Sequence, residues 1–266
     1  MSDDATTLHV DVSDGVCTVT ITRPEVLNSF NRTMRADFAA LWQRLREDTE
    51  VRAIVLQAAG DRAFSTGVDV SDLLGASENP FVDEIAPWAE HEDPGRELGP
   101  KRNQVWKPVV AAVQGLCAGG AFYWISEADI VICSPEATFF DPHVTYGMVA
   151  ALEPIQLTYR MHRSDVLRMA LLGLHERMSA ERALASGLVT EIVAREELRD
   201  RARELALLIA AQPPIAVQGT VKAIWQSFDV GRGAAIDTAL MYTQVGNPLG
   251  RATDRRAVKP QKWGLR

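Results

Sequence analysis

The chain is poor in metal-binding side chains, with five histidines and three cysteines among 266 residues. The histidines at 9, 91, 143, 162 and 175 form no i,i+4 pair and stand beside no cysteine pair, so zinc-type spacing is absent. Cys17, Cys117 and Cys133 lie in apolar or β-branched runs, a pattern of buried thiols in a reducing compartment rather than of a disulfide framework. There is no GxSxG elbow, no GxGxxG after a strand, no GxxxxGK[ST] loop and no HExxH. Their absence sets aside a serine-hydrolase elbow, a dinucleotide fingerprint, a P-loop and a zincin helix. Positive charge is also short: 28 Lys and Arg face 35 Asp and Glu, giving a net charge of −7 and a pI near 5.3. Such a surface repels a phosphate backbone and argues against a nucleic-acid partner. The acidic start, MSDDATTLHV, lacks the basic-then-apolar order of a signal peptide, so a cytoplasmic protein is expected. One uncharged run, residues 108–126, has the length of a membrane span. Gln114, Gly115, Gly119 and Gly120 interrupt it, so it reads as a buried strand, a turn and a helix. No fixed-period repeat or low-complexity tract is present.

What the chain does contain is an alternation of strand and helix signals. LHVDVSDGVCTVTIT (8–22) reads as two strands joined at Ser13-Asp14-Gly15. From Thr33 to Asp48, Met34, Phe38, Leu41 and Leu45 recur at helical spacing. Continuous apolar runs at 53–58, 109–113 and 129–134 have the character of strands buried on both faces of a parallel sheet, and 119–127 reads as a helix between two of them. Helices are expected at 179–186 and 196–211, with another opening near the prolines of PPIAVQGTVKAIW (213–225). The order indicates an α/β fold with parallel strands. Residues 75–104 show weak periodicity, as a lid, binding loop or disordered segment does. Phe81, Ile85 and Trp88 are spaced to cover a cavity, and the acids Asp83, Glu84, Glu90, Glu92 and Asp93 read as a solvated face. The last sixteen residues carry six basic side chains and one acid, a tail that is either frayed or meets a phosphate.

Three stretches could carry chemistry. In AFSTGVD (63–69), Gly67 permits a backbone angle that exposes the Val68 amide. In QGLCAGGAF (114–122), Gly119 and Gly120 stand between a strand and a helix, where unpartnered amides suit an anion. In TFFDPHVTYGMVAALEP (138–154), His143 either moves protons near neutrality or is packed. Asp141, two residues earlier, would point the same way in an extended segment and orient the imidazole. Glu153 is either a second proton-transfer group, or a helix-start residue before Pro154 or half of an ion pair with Arg160 or Arg163. Tyr123 can donate a hydrogen bond but is a poor base.

In their order, six blocks resemble the crotonase superfamily, the enoyl-CoA hydratase/isomerase family: RPEVLNSFN (23–31), AFSTGVDVSDL (63–73), KPVVAAVQGLCAGGAF (107–122), EADIVICSPEATFFDP (127–142), SAERALASGLVTEIV (179–193) and PPIAVQGTVKAI (213–224). The resemblance implies a spiral of ββα units over residues 1–195 and a C-terminal helical trimerisation region over 196–266, assembled as a homotrimer or dimer of trimers. It implies an acyl-CoA thioester as substrate, with no cofactor beyond the coenzyme A that the substrate carries, no metal and no membrane. The thioester oxygen would sit between the amides of Val68 and Gly120, an oxyanion hole. The backbone around Ala63, Thr66, Gly67 and Asp69 would face coenzyme A, and Lys259 and Lys262 its phosphate. The family's hydratases carry two catalytic glutamates; the matching positions here are Tyr123 and His143, which leaves His143, Glu153 and Tyr123 as the candidates for acid–base work.

Overall fold

The alternating residues of Leu8–Ser13 (β1) and Val16–Ile21 (β2) pair antiparallel, from Leu8↔Ile21 to Ser13↔Val16. Asp14 and Gly15 take positive φ, +55° and +76°, as a tight hairpin requires. The computed structural model describes residues 7–71, 93–251 and 264. Helix α1 (Arg32–Glu47) is capped by Asn31, whose side chain accepts from the Met34 amide at 2.9 Å. It buries Met34, Phe38, Leu41, Trp42 and Leu45 on one face.

The chain continues through β3 (Ala53–Ala58), β4 (Ala63–Ser65), α2 (Gly95–Leu98), β5 (Val109–Val113) and β6 (Leu116–Ala118). A 3₁₀ turn, Gly119–Ala121, leads into α3 (Phe122–Glu127), so the helix expected at 119–127 starts with a tighter turn. Then come β7 (Ile130–Cys133), β8 (Thr138–Phe140), α4 (Leu152–Leu157), α5 (Arg163–Leu172), β9 (Met178–Ser179), α6 (Ala180–Ser186), β10 (Glu191–Ile192) and α7 (Leu198–Ala210). The strands form two sheets, β1-β2-β3-β5-β7-β10 and β4-β6-β8-β9. Successive strands from β3 to β8 alternate between the sheets, and each return adds a parallel neighbour to both. That is a spiral of repeating units, as the resemblance implies. The second sheet is built from strands of two or three residues and was not expected from the sequence.

Aromatic packing ties α1 to α3. Phe38 stacks between Trp42 and Trp124, with centroids at 5.4 and 5.1 Å, while Phe30 and Phe64 meet Trp124 edge-on at 5.9 and 6.3 Å. The Trp42 Nε1–H donates to the Leu98 carbonyl at 3.0 Å. Truncating Phe38 to alanine removes the ring between two tryptophans and is expected to cost about 3–5 kcal/mol, read as a lowered urea midpoint. A loss under about 1 kcal/mol would show that this cluster refills without it.

Buried charges are satisfied locally. Lys101 Nζ reaches Asp129 at 2.7 Å and the carbonyls of Val105 and Lys107 at 3.3 and 3.4 Å. Lys107 Nζ donates to the carbonyls of Leu45 and Asp48. Cys17, Cys117 and Cys133 are buried and unbridged, and burial pushes the Cys17 and Cys133 thiols up to about 12. Among the described residues no helix is long and apolar enough to cross a membrane.

The chain divides into two units, Met1–Ala211 and Gln212–Arg266, so α7 belongs with the sheets. In the second unit α8 (Pro214–Gln226) opens with proline in its first turn and packs against α9 (Arg232–Arg251). Lys222 lies 5.5 Å from the Tyr242 ring centroid, and Trp225 meets Phe228 edge-on at 5.8 Å. Phe81, Ile85, Trp88, Lys259 and Lys262 lie outside the described residues. Asp93, read as solvated, is instead largely covered: its side chain is 14% exposed and pairs with Arg102.

Candidate active site

Strands β4, β6 and β8 run parallel, with Ser65 beside Cys117 and Ala118 beside Phe140. Whatever follows their C-terminal ends is therefore gathered at one edge. These followers are Gly67–Val68, Gly119–Gly120 and Asp141–His143. Gly67 has φ of +85°, and a β-carbon built there would lie 2.7 Å from the Gly120 nitrogen. Only glycine permits both that angle and that approach. A β-carbon on Gly120 would lie 2.5 Å from the Phe30 ring. The Phe30 amide donates to the Gly67 carbonyl and the Asp69 amide to the Phe30 carbonyl, both at 2.8 Å, which brackets Val68. Among the described residues, neither the Val68 nor the Gly120 N–H is engaged by a backbone acceptor. Two amides are thus left available within a few ångströms of each other.

The imidazole of His143 sits beside this turn, its Cε1 3.7 Å from where a Gly119 β-carbon would stand. Asp141 Oδ1 lies 2.7 Å from His143 Nδ1 and accepts the His143 main-chain N–H at 3.0 Å. The contact does not arise from an extended segment, as expected. Pro142 is right-handed and His143 opens a 3₁₀ turn, His143–Tyr146, so the carboxylate folds back over the turn. The Asp141 contact favours a proton on Nδ1, which leaves Nε2 as an acceptor. It also raises the His143 pKa above its ordinary value, against the opposing effect of burial.

His143 Nε2 faces Glu153 Oε1 at 4.0 Å. Glu153 is buried in the first turn of α4, and burial raises its pKa although His143 opposes the shift. Arg160, one expected partner, donates instead to the Ala128 carbonyl, and Arg163 is exposed. Burial, with the charges of Glu153 and Asp93 adding to it, raises the Tyr123 pKa far above the phenolic range. It is therefore not a base. The Tyr123 ring packs on Gly95, where a β-carbon would lie 2.7 Å from Cδ1.

Of the residues expected to face coenzyme A, the Ala63 carbonyl accepts from Asn28 Nδ2 at 3.0 Å and the Thr66 amide donates to Leu27 at 3.2 Å. Asp69 is bound by Ser71 Oγ at 2.6 Å and Arg23 at 2.9 Å, and these contacts, Ser71 first, hold its pKa low. Sequence reasoning missed Asp93 and Phe30 as neighbours of the site; the sole signal for Phe30 was its place in RPEVLNSFN. Among the described residues no group of three potential ligands could hold a metal. A surface cavity of about 370 Å³ lies elsewhere, lined by Asp165, Arg168, Glu176 and Arg182, whose charges pair with one another.

Two interleaved sheets in a spiral, with glycine turns at the ends of two parallel strands and His143 after a third, define an α/β fold of the crotonase type. The sequence profile of enoyl-CoA hydratase/isomerase matches residues 11–242. The (E)-benzylidenesuccinyl-CoA hydratase of Thauera aromatica is 32% identical over 258 residues, 97% of this chain and 95% of that protein. The 1,2-epoxyphenylacetyl-CoA isomerase of Escherichia coli K12 is 32% identical over 247 residues, 92% of this chain and 90% of that protein. The crystal structure of an enoyl-CoA hydratase/isomerase from Mycobacterium paratuberculosis superposes with a TM-score of 0.79 at 35% identity, covering 97% of this chain and 93% of that one. The chain belongs to the enoyl-CoA hydratase/isomerase family, and it is an enzyme of that type.

Proposed function

We propose that the protein acts on an acyl-CoA thioester, holding the thioester oxygen between the Val68 and Gly120 amides while His143 and Glu153 move protons. The observation that carries this reading is the facing of His143 Nε2 and Glu153 at 4.0 Å, beside the Gly119–Gly120 turn. His143 takes a proton from the carbon next to the thioester. The C–H electron pair becomes the enolate double bond, and the carbonyl oxygen takes the negative charge. Preorganised amides stabilise that charge because it grows only as the reaction proceeds. Glu153, whose hold on a proton burial strengthens, returns a proton to the substrate at a second position. Tyr123, its proton held tightly by burial, takes no part as a base.

The relatives bear names of a hydratase and an isomerase, and both outcomes follow from the same enolate. Thioester hydrolysis would use the same amides for the oxyanion of a tetrahedral intermediate, and carbon–carbon cleavage for an enolate, since the fold does not select the reaction. No cofactor is required beyond the coenzyme A of the substrate, whose adenine and pantetheine end meets the backbone at Ala63, Thr66, Gly67 and Asp69. The exposed apolar residues Ile224, Phe228, Ile236, Leu240, Met241 and Val245 of the second unit support assembly as a trimer or a dimer of trimers. The net charge of −7 supports the absence of a nucleic-acid partner. Tyr123 and His143, at both positions where hydratases carry glutamate, favour one rival: an acyl-CoA binder without catalysis.

The test incubates saturated, enoyl and β-keto acyl-CoA thioesters in heavy water with wild type, His143→Ala and Glu153→Ala, followed by mass spectrometry. Deuterium gain or a new product mass, lost in either variant with binding intact, is the expected result and identifies the reaction. Thioesters that bind to wild type with neither exchange nor conversion would leave the binder as the reading.

A further inference from the structure

A trans peptide holds its C=O and N–H on opposite sides, so whatever binds the carbonyl also fixes the aim of the amide behind it. The Val68 N–H shares its peptide with the Gly67 carbonyl, which accepts the Phe30 N–H at 2.8 Å. The Phe30 N–H in turn shares its peptide with the Ser29 carbonyl, and there Arg23 Nη1 donates at 2.6 Å. The links run from the guanidinium through the Ser29–Phe30 peptide and the Gly67–Val68 peptide and end at the Val68 amide. Asn28 ties both main-chain ends of Arg23, accepting its N–H at Oδ1 (3.0 Å) and donating its own amide to the Arg23 carbonyl (2.8 Å). It does so from the left-handed region, φ +55°, which asparagine adopts more readily than most residues. Arg23 Nη2 meets Asp69 Oδ2 at 2.9 Å, so one planar fork holds both the Ser29 carbonyl and the residue after Val68. The Arg23 and Asp69 side chains are 17% and 11% exposed, and Ser29 is buried. A hydrogen-bond chain kept from water in this way polarises along its length, each bond strengthening the next.

We infer that Arg23 is a positioning residue for the oxyanion donor: through the Ser29–Phe30 and Gly67–Val68 peptides it aims the Val68 N–H into the site and strengthens it as a donor. Asp69 holds the fork in place and offsets part of its charge. The inference rests on the reading of Val68 as a donor to the thioester oxygen. A stronger donor matters most where that oxygen carries most charge, so the effect falls on kcat and leaves KM nearly unchanged. Removing the guanidinium weakens this donor without removing it. The expected fall in kcat is roughly tenfold, short of the hundred- to thousandfold that follows loss of a donor.

Two glycine–valine pairs occur in the chain, 15–16 and 67–68. Carbonyl-labelled glycine with nitrogen-labelled valine therefore leaves two signals in a carbonyl-correlated amide NMR spectrum, and Val68→Ala identifies the second. In Arg23→Met, which keeps the stem and loses every donor, the Val68 amide proton of the substrate-free protein should move to higher field while that of Val16, in β2, stays in place. With whichever thioester of the saturated, enoyl and β-keto panel the wild type turns over, kcat should fall roughly tenfold while KM stays within about twofold. Arg23→Lys keeps a cation for Asp69 but not the fork. It should move both readouts the same way by less, and it decides if Arg23→Met does not fold. An arginine that only stabilises the fold would, on replacement, lower the melting temperature and leave the Val68 amide and kcat unmoved, which overturns the inference. A shifted amide with unchanged kcat overturns it as well. A shifted amide in a protein whose wild type turns over no thioester would remove the thioester reading and the donor role with it, leaving only the hydrogen-bond chain. Turnover by wild type with an unmoved amide would remove only the inference.

Discussion

Gly67→Ala is expected to lower turnover by roughly a hundred- to a thousandfold, the effect of losing one oxyanion donor, with acyl-CoA affinity much less affected. The added β-carbon would stand 2.7 Å from the Gly120 nitrogen and 3.0 Å from the Ala118 carbonyl, both backbone atoms with no side chain to swing aside. Relief requires β4 and β6 to separate just where their amides converge. Charge on the substrate oxygen is smallest in the ground state, so the damage falls on kcat more than on binding. Gly187→Ala isolates backbone strain from crowding at the site. Gly187 has φ of +89° as the C-cap of α6, and its β-carbon meets only the Arg160 carbonyl at 3.1 Å. That variant should lose some stability and keep turnover near wild type. Steady-state kinetics on the thioester found by mass spectrometry, with calorimetric binding, checks both. Wild-type turnover in Gly67→Ala would show that these amides do not hold the reacting oxygen.

His143→Gln is expected to slow substrate proton exchange by about a hundred- to ten-thousandfold, the usual contribution of a positioned base. The companion variant Asp141→Asn reads out the imidazole itself. Asp141 raises the His143 pKa, and a base works only when neutral, so activity should climb as pH rises through that raised value. With asparagine in place the pKa falls, so the acid limb of kcat/KM should move to lower pH. The plateau should also drop, because nothing then holds the Nδ1–H tautomer. Stability follows the opposite limb. A histidine whose folded pKa lies above its ordinary 6.5 stabilises fully below 6.5 and loses that contribution as pH rises through the folded value. Asp141→Asn should therefore cost most stability in mild acid. An unchanged acid limb in Asp141→Asn would mean that the limb belongs to another group.

The hairpin, α1 and the longer parallel strands were legible because each extends over four or more residues with a clear period or an unbroken apolar run. The second sheet was not. Ala63–Ser65, Leu116–Ala118 and Thr138–Phe140 are too short to show a period, and two of them lie inside stretches that read as glycine turns. Yet these short strands gather the site, since their parallel register brings Gly67, Gly120 and His143 to one edge. Asp141 was correctly read as the partner of His143 but for the wrong geometry, a turn in place of an extended strand. Asp93 was misread altogether: in a run of acids its charge pointed to solvent, while its partner, Arg102, lies 9 residues away in the sequence.

By itself the sequence determined the α/β class, the family and the residue types available for chemistry, because local periodicity and ordered motifs are properties of neighbouring residues. The distances that make those residues a site, 2.7 Å from Asp141 to His143 and 4.0 Å from His143 to Glu153, were decided only in three dimensions. Strand register and burial set them, and both depend on contacts between residues that no short window of sequence contains.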